Sequence, residues 1–264
     1  MRWAVGACIA LALSPRPGVT APAGADAPPV GTNAAADVLT VSAAISLTDA
    51  LEEAGRAYDS TRESVRFNFA GSNVLARQIV SGAPVDVYIS ADEAQMNVVA
   101  AAGAIDPTSR IDLLGNRLAV LTRRVPLDSV RALLGPGIRR IAIGDPAAVP
   151  AGVYARQYLQ AAGVWDRLQP KLVPVGNVRA AVTAVENGSA DAAIAYETDA
   201  IAAKSATTAL VISGPDAPRI VYPAAILARA RNRMAAVRFL SFLRGPAATA
   251  IFTRYKFVTL APIR

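Results

Sequence analysis

Val38-Leu-Thr-Val-Ser42 is a short β-rich run, and Ala43-Ala-Ile-Ser46-Leu-Thr-Asp49 leads straight from it into a helical pattern. Over residues 46–58 the apolar positions Leu47, Ala50, Leu51, Ala54, Ala57 and Tyr58 recur at the helical period. The same strand-to-helix step returns along the chain. Val65-Arg-Phe-Asn-Phe69 leads through Ala70-Gly71-Ser72-Asn73 into the helical Val74-Leu-Ala-Arg-Gln-Ile79. Arg140-Ile-Ala-Ile143 leads through Gly144-Asp-Pro-Ala-Ala-Val-Pro150-Ala151-Gly152 into a helix marked by Tyr154, Tyr158, Leu159 and Ala162. Leu172-Val-Pro-Val175 leads through Gly176-Asn177 into Val178, Ala181, Val182 and Val185, spaced i, i+3, i+4, i+7. Further strand patterns are Val85-Asp-Val-Tyr-Ile89, Leu118-Ala-Val-Leu121, Ala192-Ala-Ile-Ala-Tyr196, Ala209-Leu-Val-Ile212 and Val221-Tyr-Pro-Ala-Ala-Ile-Leu227. This alternation predicts an α/β fold with largely parallel sheets and right-handed crossovers.

Two modest sheets fit these strands better than one large one. Leu118–Thr122 and residues 221–228 are the expected crossing strands. They divide the chain into one lobe of residues 37–118 plus 223–264 and a second of residues 119–222. A cleft between such lobes is a natural ligand site, lined by the loops after the strands.

Composition narrows the chemistry. The 264 residues include no histidine and one cysteine, Cys8. Histidine acid–base catalysis, cysteine nucleophiles, Cys/His zinc sites and internal disulfides are thereby excluded. The hydrophobic share of 53% is ample for a packed core, and no apolar run approaches the roughly 18 residues of a membrane span. Net charge is +7, but the basic residues are scattered. The densest run, Arg229-Ala-Arg231-Asn-Arg233, lacks the interleaved aromatics of a nucleic-acid binder, so no nucleic-acid partner is expected.

Met1-Arg2, the apolar run from Trp3 to Leu13 and the small residues after it have the layout of a secretory signal. Cleavage is expected after Ala25, with residues 26–36 a flexible leader. The mature chain then loses Arg2, Arg16 and Cys8, and its 25 basic against 20 acidic residues leave +5. Val5-Gly6-Ala7-Cys8 looks like a lipidation box but stands too early, with no complete apolar segment before it.

Four helix starts thus lie at strand carboxyl ends. A helix start offers unpaired N–H groups and a partial positive charge. Several aimed at one cleft make an anion site without Lys or Arg. Ser46 and Ser72 add hydroxyl donors, and Tyr196 a phenolic one. Each also has an ordinary explanation: Ser46-x-x-Asp49 reads as a capping box, Ser72 as an N-cap, Pro150 as a first-turn proline and Tyr196 as a core aromatic. The functional reading rests on the set. Asp49, Asp145 and Glu197 read as capping or turn residues, and Arg77 as a water-facing helix position.

Taken together, Val41-Ser-Ala-Ala-Ile-Ser46-Leu-Thr-Asp-Ala50, Phe69-Ala-Gly-Ser72-Asn-Val-Leu-Ala-Arg-Gln78, Gly82-Ala-Pro-Val-Asp-Val-Tyr-Ile-Ser-Ala-Asp92, Leu113-Leu-Gly-Asn116, residues 144–152, Val178-Arg179, residues 192–199 and Leu243-Arg-Gly-Pro246 with Ile251-Phe-Thr-Arg-Tyr255 resemble the periplasmic molybdate-binding proteins. The resemblance spans residues 37–264. It implies the two-lobed periplasmic binding-protein fold with two crossing strands, and no enzymatic activity or cofactor. It implies a molybdate or tungstate ligand held by Ser46 and Ser72 through hydroxyl and backbone N–H, by the Ala151 and Val178 N–H groups and by the Tyr196 hydroxyl, with no direct bond to the metal. It further implies a periplasmic, monomeric carrier serving the permease and ATPase of an ABC importer. Three positions depart from the family pattern: Ile45 replaces a small residue, Gly71 and Asn73 stand where serines are common, and Lys256 replaces glycine.

None of the five ligand positions is acidic. A fully deprotonated tetrahedral dianion only accepts hydrogen bonds, whereas phosphate near neutral pH keeps a proton and wants an acceptor. The order expected is molybdate or tungstate, then sulfate, then phosphate. A serine hydrolase would need a Gly-x-Ser-x-Gly elbow, a histidine or a Ser-x-x-Lys pair, and none occurs. A transcription-regulator effector domain would need a DNA-binding helix pair before residue 37, which the leader does not provide.

Overall fold

The structure is a computed structural model describing residues 38–58, 64–123 and 126–260. The expected signal, leader and Cys8 lie outside the described residues. From the start, β1 (Leu39–Ala44), α1 (Thr48–Tyr58), β2 (Val65–Ala70), α2 (Ser72–Val80), β3 (Val87–Ile89) and α3 (Glu93–Ala101) alternate and end in β4 (Ile111–Asn116). A second series follows: β5 (Leu118–Thr122), β6 (Ile141–Gly144), α4 (Pro150–Ala161), α5 (Trp165–Leu168), β7 (Leu172–Val175), α6 (Val178–Glu186), β8 (Ala192–Tyr196), α7 (Asp199–Ala202) and β9 (Thr207–Val211). The chain closes with β10 (Ile220–Ile226), α8 (Arg233–Leu243), α9 (Pro246–Arg254) and β11 (Val258–Thr259).

The described residues form two sheets, ordered β11-β4-β10-β3-β1-β2 and β7-β6-β8-β5-β9. Only part of each is parallel. β3, β1 and β2 run parallel in the first, as do β7, β6 and β8 in the second. β4, β10 and β11, and likewise β5 and β9, pair antiparallel. The expected largely parallel sheets are therefore corrected. Helical crossovers give parallel neighbours, but strands that pass between sheets return against them. β4 runs through Arg117 directly into β5, which is the first passage between the sheets.

Burial follows the residue pattern. β5 and β8 are buried along their whole length, as expected for continuous apolar runs in interior strands. In β3, Val87 and Ile89 join the main core, while Tyr88 faces the other way among Leu75, Ile79, Met96 and Val99 of α2 and α3. In α6, Val178, Ala181, Val182 and Val185 form the buried face predicted by their spacing. Each fully buried valine contributes about 1.5–3 kcal/mol. Pro174 lies in edge strand β7, where a missing N–H is tolerated. Pro223 lies in interior β10, and there the register shifts between Tyr222 and Pro223. That irregularity falls where Pro223 cannot donate a ladder hydrogen bond.

Candidate functional site

Every loop that follows a parallel strand opens on the same side of its sheet, and the two sets of loops meet at a small recess. Its free volume is about 10 Å³, room for about one water molecule. One wall is Ala44, Ile45, Ser46, Gly71, Ser72 and Ala91, and the other is Val149, Pro150, Ala151, Asn177, Val178 and Tyr196. The structure therefore brings Ser46, Ser72, Ala151, Val178 and Tyr196 to one spot. Larger hollows elsewhere contain none of these five residues.

Each of these residues is placed by identifiable contacts. Ser46 sits in a 3₁₀ turn, Ile45–Leu47, between β1 and α1. It does not cap the helix: its Oγ lies 3.0 Å from the Tyr222 hydroxyl, and Asp49 pairs with Arg179. The capping-box alternative is corrected accordingly, because the turn's N-cap is Ala44. Gly71, not Ser72, is the N-cap of α2, so the Ser72 N–H lies in the unpaired first turn. The Ser72 Oγ accepts the Ala91 N–H at 2.9 Å. Pro150 is the first residue of α4, as its alternative reading held, and it places Ala151 in that first turn. Asn177 caps α6 by accepting the Ala180 N–H at 2.9 Å. This cap satisfies the third N–H of the helix and leaves the first, on Val178, for the recess. Tyr196 ends β8 wholly buried, and its hydroxyl has no hydrogen-bond partner among the described residues. A buried hydroxyl without a partner costs about 1–3 kcal/mol, which an anion oxygen at this spot would relieve.

Residues 39–258 match the family of bacterial extracellular solute-binding proteins. The chain is 39% identical to Molybdate-binding protein ModA of Escherichia coli (strain K12) over 240 residues, covering 86% of this chain and 92% of that protein. It is 32% identical to Molybdate-binding protein ModA of Haemophilus influenzae, covering 85% and 91%. The solved periplasmic molybdate-binding protein of Azotobacter vinelandii superposes with a TM-score of 0.76 at 29% identity, covering 84% of this chain and all of that one.

The chain belongs to the molybdate-binding protein family.

Members of this family are non-enzymatic solute carriers, which agrees with the expected lack of catalysis. Among the described residues, no Lys, Arg, Asp or Glu lines the recess of this member. The nearby cations are committed elsewhere. Arg179 bridges Asp49 of α1 and Asp199 of α7, the latter at 3.0 Å. Arg117 and Lys256 pair with Glu197 at 2.7 and 3.4 Å. The positive field at the recess is thus that of helix starts and N–H dipoles. Burial holds the Tyr196 phenol far above its ordinary range, with Tyr222, Tyr154, Asp92 and Asp199 adding to the effect, so it keeps its proton and can donate.

The expected capping or turn role holds for Asp145, whose Oδ1 accepts the Ala147 N–H at 2.9 Å. It fails for Asp49 and Glu197, whose carboxylates serve ion pairs. Arg77 is exposed, as expected. Lys256 has φ 63, the left-handed conformation that favours glycine. Distant in sequence, it nevertheless reaches Glu197, the neighbour of Tyr196. Sequence reasoning missed Tyr222 and Asn116 near the site. The Asn177 cap was legible, since an Asn directly before a helical pattern marks an N-cap.

Burial pushes the Asp199 carboxyl up from 3.8 to about 6, opposed by Arg179 and by the Tyr196 N–H. The folded form therefore holds this proton more tightly than the unfolded chain. The resulting stability is complete below about pH 3.8 and is lost as pH rises through about 6, an effect of about 3 kcal/mol. Asp199→Asn does not titrate. Denaturant unfolding should show wild-type stability, relative to that variant, falling between about pH 4 and 6 and level above about 7. A difference that grows across this window would contradict the assignment.

Proposed function

We propose that this chain captures molybdate or tungstate in the periplasm and delivers it to the permease and ATPase of an ABC importer. Ser46 and Ser72 bind through hydroxyl and N–H, Ala151 and Val178 through N–H, and Tyr196 through its hydroxyl. The observation that carries this reading is a recess with N–H and hydroxyl groups on both walls and, among the described residues, no partner for the buried tyrosine hydroxyl and no acidic side chain in the lining. Family membership supports the ligand class and the importer. Each hydrogen bond to the charged oxyanion is worth about 1.5–3 kcal/mol. Five to seven of them support micromolar or tighter affinity, roughly −8 kcal/mol, after association costs.

In this reading residues 37–118 with 223–264 and residues 119–222 act as two lobes, closing over the ion by a hinge at the crossing strands. Residues 1–25 direct export and are removed. Cavity size separates molybdate from sulfate, since a rigid ring of N–H groups fits one radius best. A thermal-shift panel with molybdate, tungstate, sulfate and phosphate tests the assignment. At a hundredfold excess over its dissociation constant, a ligand stabilises by about 2.7 kcal/mol. For a protein of this size that is a rise of roughly 5–10 °C. The expected order is molybdate and tungstate first, then sulfate, then phosphate. A midpoint raised by sulfate and unmoved by molybdate or tungstate would refute it.

A further inference from the structure

The hydrogen bonds around Ser46 run in one direction. The Arg117 N–H donates to Asn116 Oδ1 at 2.8 Å, which fixes the orientation of the Asn116 amide. Asn116 Nδ2 then donates its two hydrogens, to the Thr198 hydroxyl at 3.0 Å and the Tyr222 hydroxyl at 3.1 Å. A phenol has a single hydrogen. With Asn116 donating to its oxygen, the Tyr222 hydroxyl has one acceptor among the described residues, Ser46 Oγ at 3.0 Å. Ser46 Oγ thus receives a hydrogen bond, and its own hydrogen is left for the recess. Asn116, Tyr222 and Ser46 are all buried, so water does not scramble this order.

We infer that Asn116 and Tyr222 are positioning residues that free the Ser46 hydrogen for the ligand and thereby favour fully deprotonated oxyanions over those carrying a hydroxyl, such as hydrogen phosphate and hydrogen arsenate. A bare oxyanion oxygen receives the free Ser46 hydrogen, whereas a ligand O–H can use only the second Ser46 lone pair and forfeits that donor. Ser72 is set the same way by the Ala91 N–H. The inference rests on the oxyanion reading above and adds the residues that enforce its selectivity.

Asn116→Asp reverses the chain. Its carboxylate accepts the Tyr222 hydrogen, the Tyr222 oxygen accepts from Ser46, and Ser46 turns a lone pair toward the ligand. Tyr222→Phe removes the relay with little change of shape. The test is calorimetric titration of the full chain with molybdate and inorganic phosphate, at a pH where phosphate is mainly its singly protonated dianion. The readout is the ratio of the two dissociation constants. A buried charge or a loosened fold weakens both dianions together, whereas the relay alone moves the ratio. In Asn116→Asp, selectivity for molybdate over phosphate should fall about tenfold or more, the effect of one charge-assisted hydrogen bond. In Tyr222→Phe it should fall severalfold. Selectivity unchanged within about twofold in both folded variants would overturn the inference, and if Asn116→Asp does not fold, Tyr222→Phe decides alone. A wild type that binds no molybdate would instead defeat the oxyanion reading, and this inference with it.

Discussion

Val178→Pro should weaken molybdate binding by about 10- to 150-fold while the fold persists, because it deletes one N–H from the recess. That range corresponds to the roughly 1.5–3 kcal/mol of a hydrogen bond to a charged group. Val178 is the first residue of α6, the helical position where proline is best tolerated. Asn177 before it has φ −164 and ψ 171, the extended backbone a residue preceding proline prefers. Its cap bond to Ala180 does not involve the lost N–H. Val178→Ala is the control. It loses buried methyl groups, lowering stability by about 0.5–3 kcal/mol, but keeps the donor. Isothermal titration should find Val178→Ala within severalfold of wild type and Val178→Pro far weaker. Equal affinity for Val178→Pro and wild type would mean that backbone dipoles do not hold the ion. The proline ring also crowds the recess, an effect of the same sign.

Why could the residues that line the recess be read from the sequence when part of their surroundings could not? Ser46, Ser72, Ala151, Val178 and Tyr196 each sit just after, or at the end of, a short apolar strand. That is a local pattern, and the geometry of parallel strands carries it to a common edge. Asn116 and Tyr222 depend on register instead. Asn116 ends β4, whose Asp112 and Gly115 interrupt any strand pattern. Tyr222 precedes Pro223, where the register of this interior strand shifts. Helix α3 also escaped notice, since only Met96 and Val99 are buried in it and no apolar stripe forms. The Ser46-x-x-Asp49 pattern was a real capping signal overridden by long-range partners. Tyr222, 176 residues away, takes Ser46, and Arg179, 130 residues away, takes Asp49. Local propensity yields to tertiary contact where such partners are buried and charged.

Gly152→Ala should cost both stability and affinity, for a reason rooted in how α4 meets β6. A Cβ built at Gly152 would lie 1.9 Å from the Gly144 carbonyl oxygen, 2.5 Å from its carbon and 2.8 Å from the Asp145 oxygen. All three are backbone atoms, so no side chain can rotate away. Relief requires α4 to slide more than an ångström from the end of β6. Alanine's better helix propensity returns only about 0.8–1.0 kcal/mol. Overpacking of this severity stands at or beyond the upper end of the usual 1–3 kcal/mol. A net loss of about 2–3 kcal/mol lowers the melting midpoint by roughly 4–12 °C. Ala151, one residue earlier, moves with the helix start. Its N–H then leaves the place it holds among the proposed donors, and molybdate affinity should fall about tenfold or more. Gly176→Ala is the matched control, since its Cβ would meet nothing within 4 Å. Differential scanning calorimetry and titration of both variants separate the cases. A Gly152→Ala protein that melts and binds like wild type would show that the spacing of α4 from β6 does not set the donor geometry. A protein that loses stability yet binds at full strength would place Ala151 outside the donor ring.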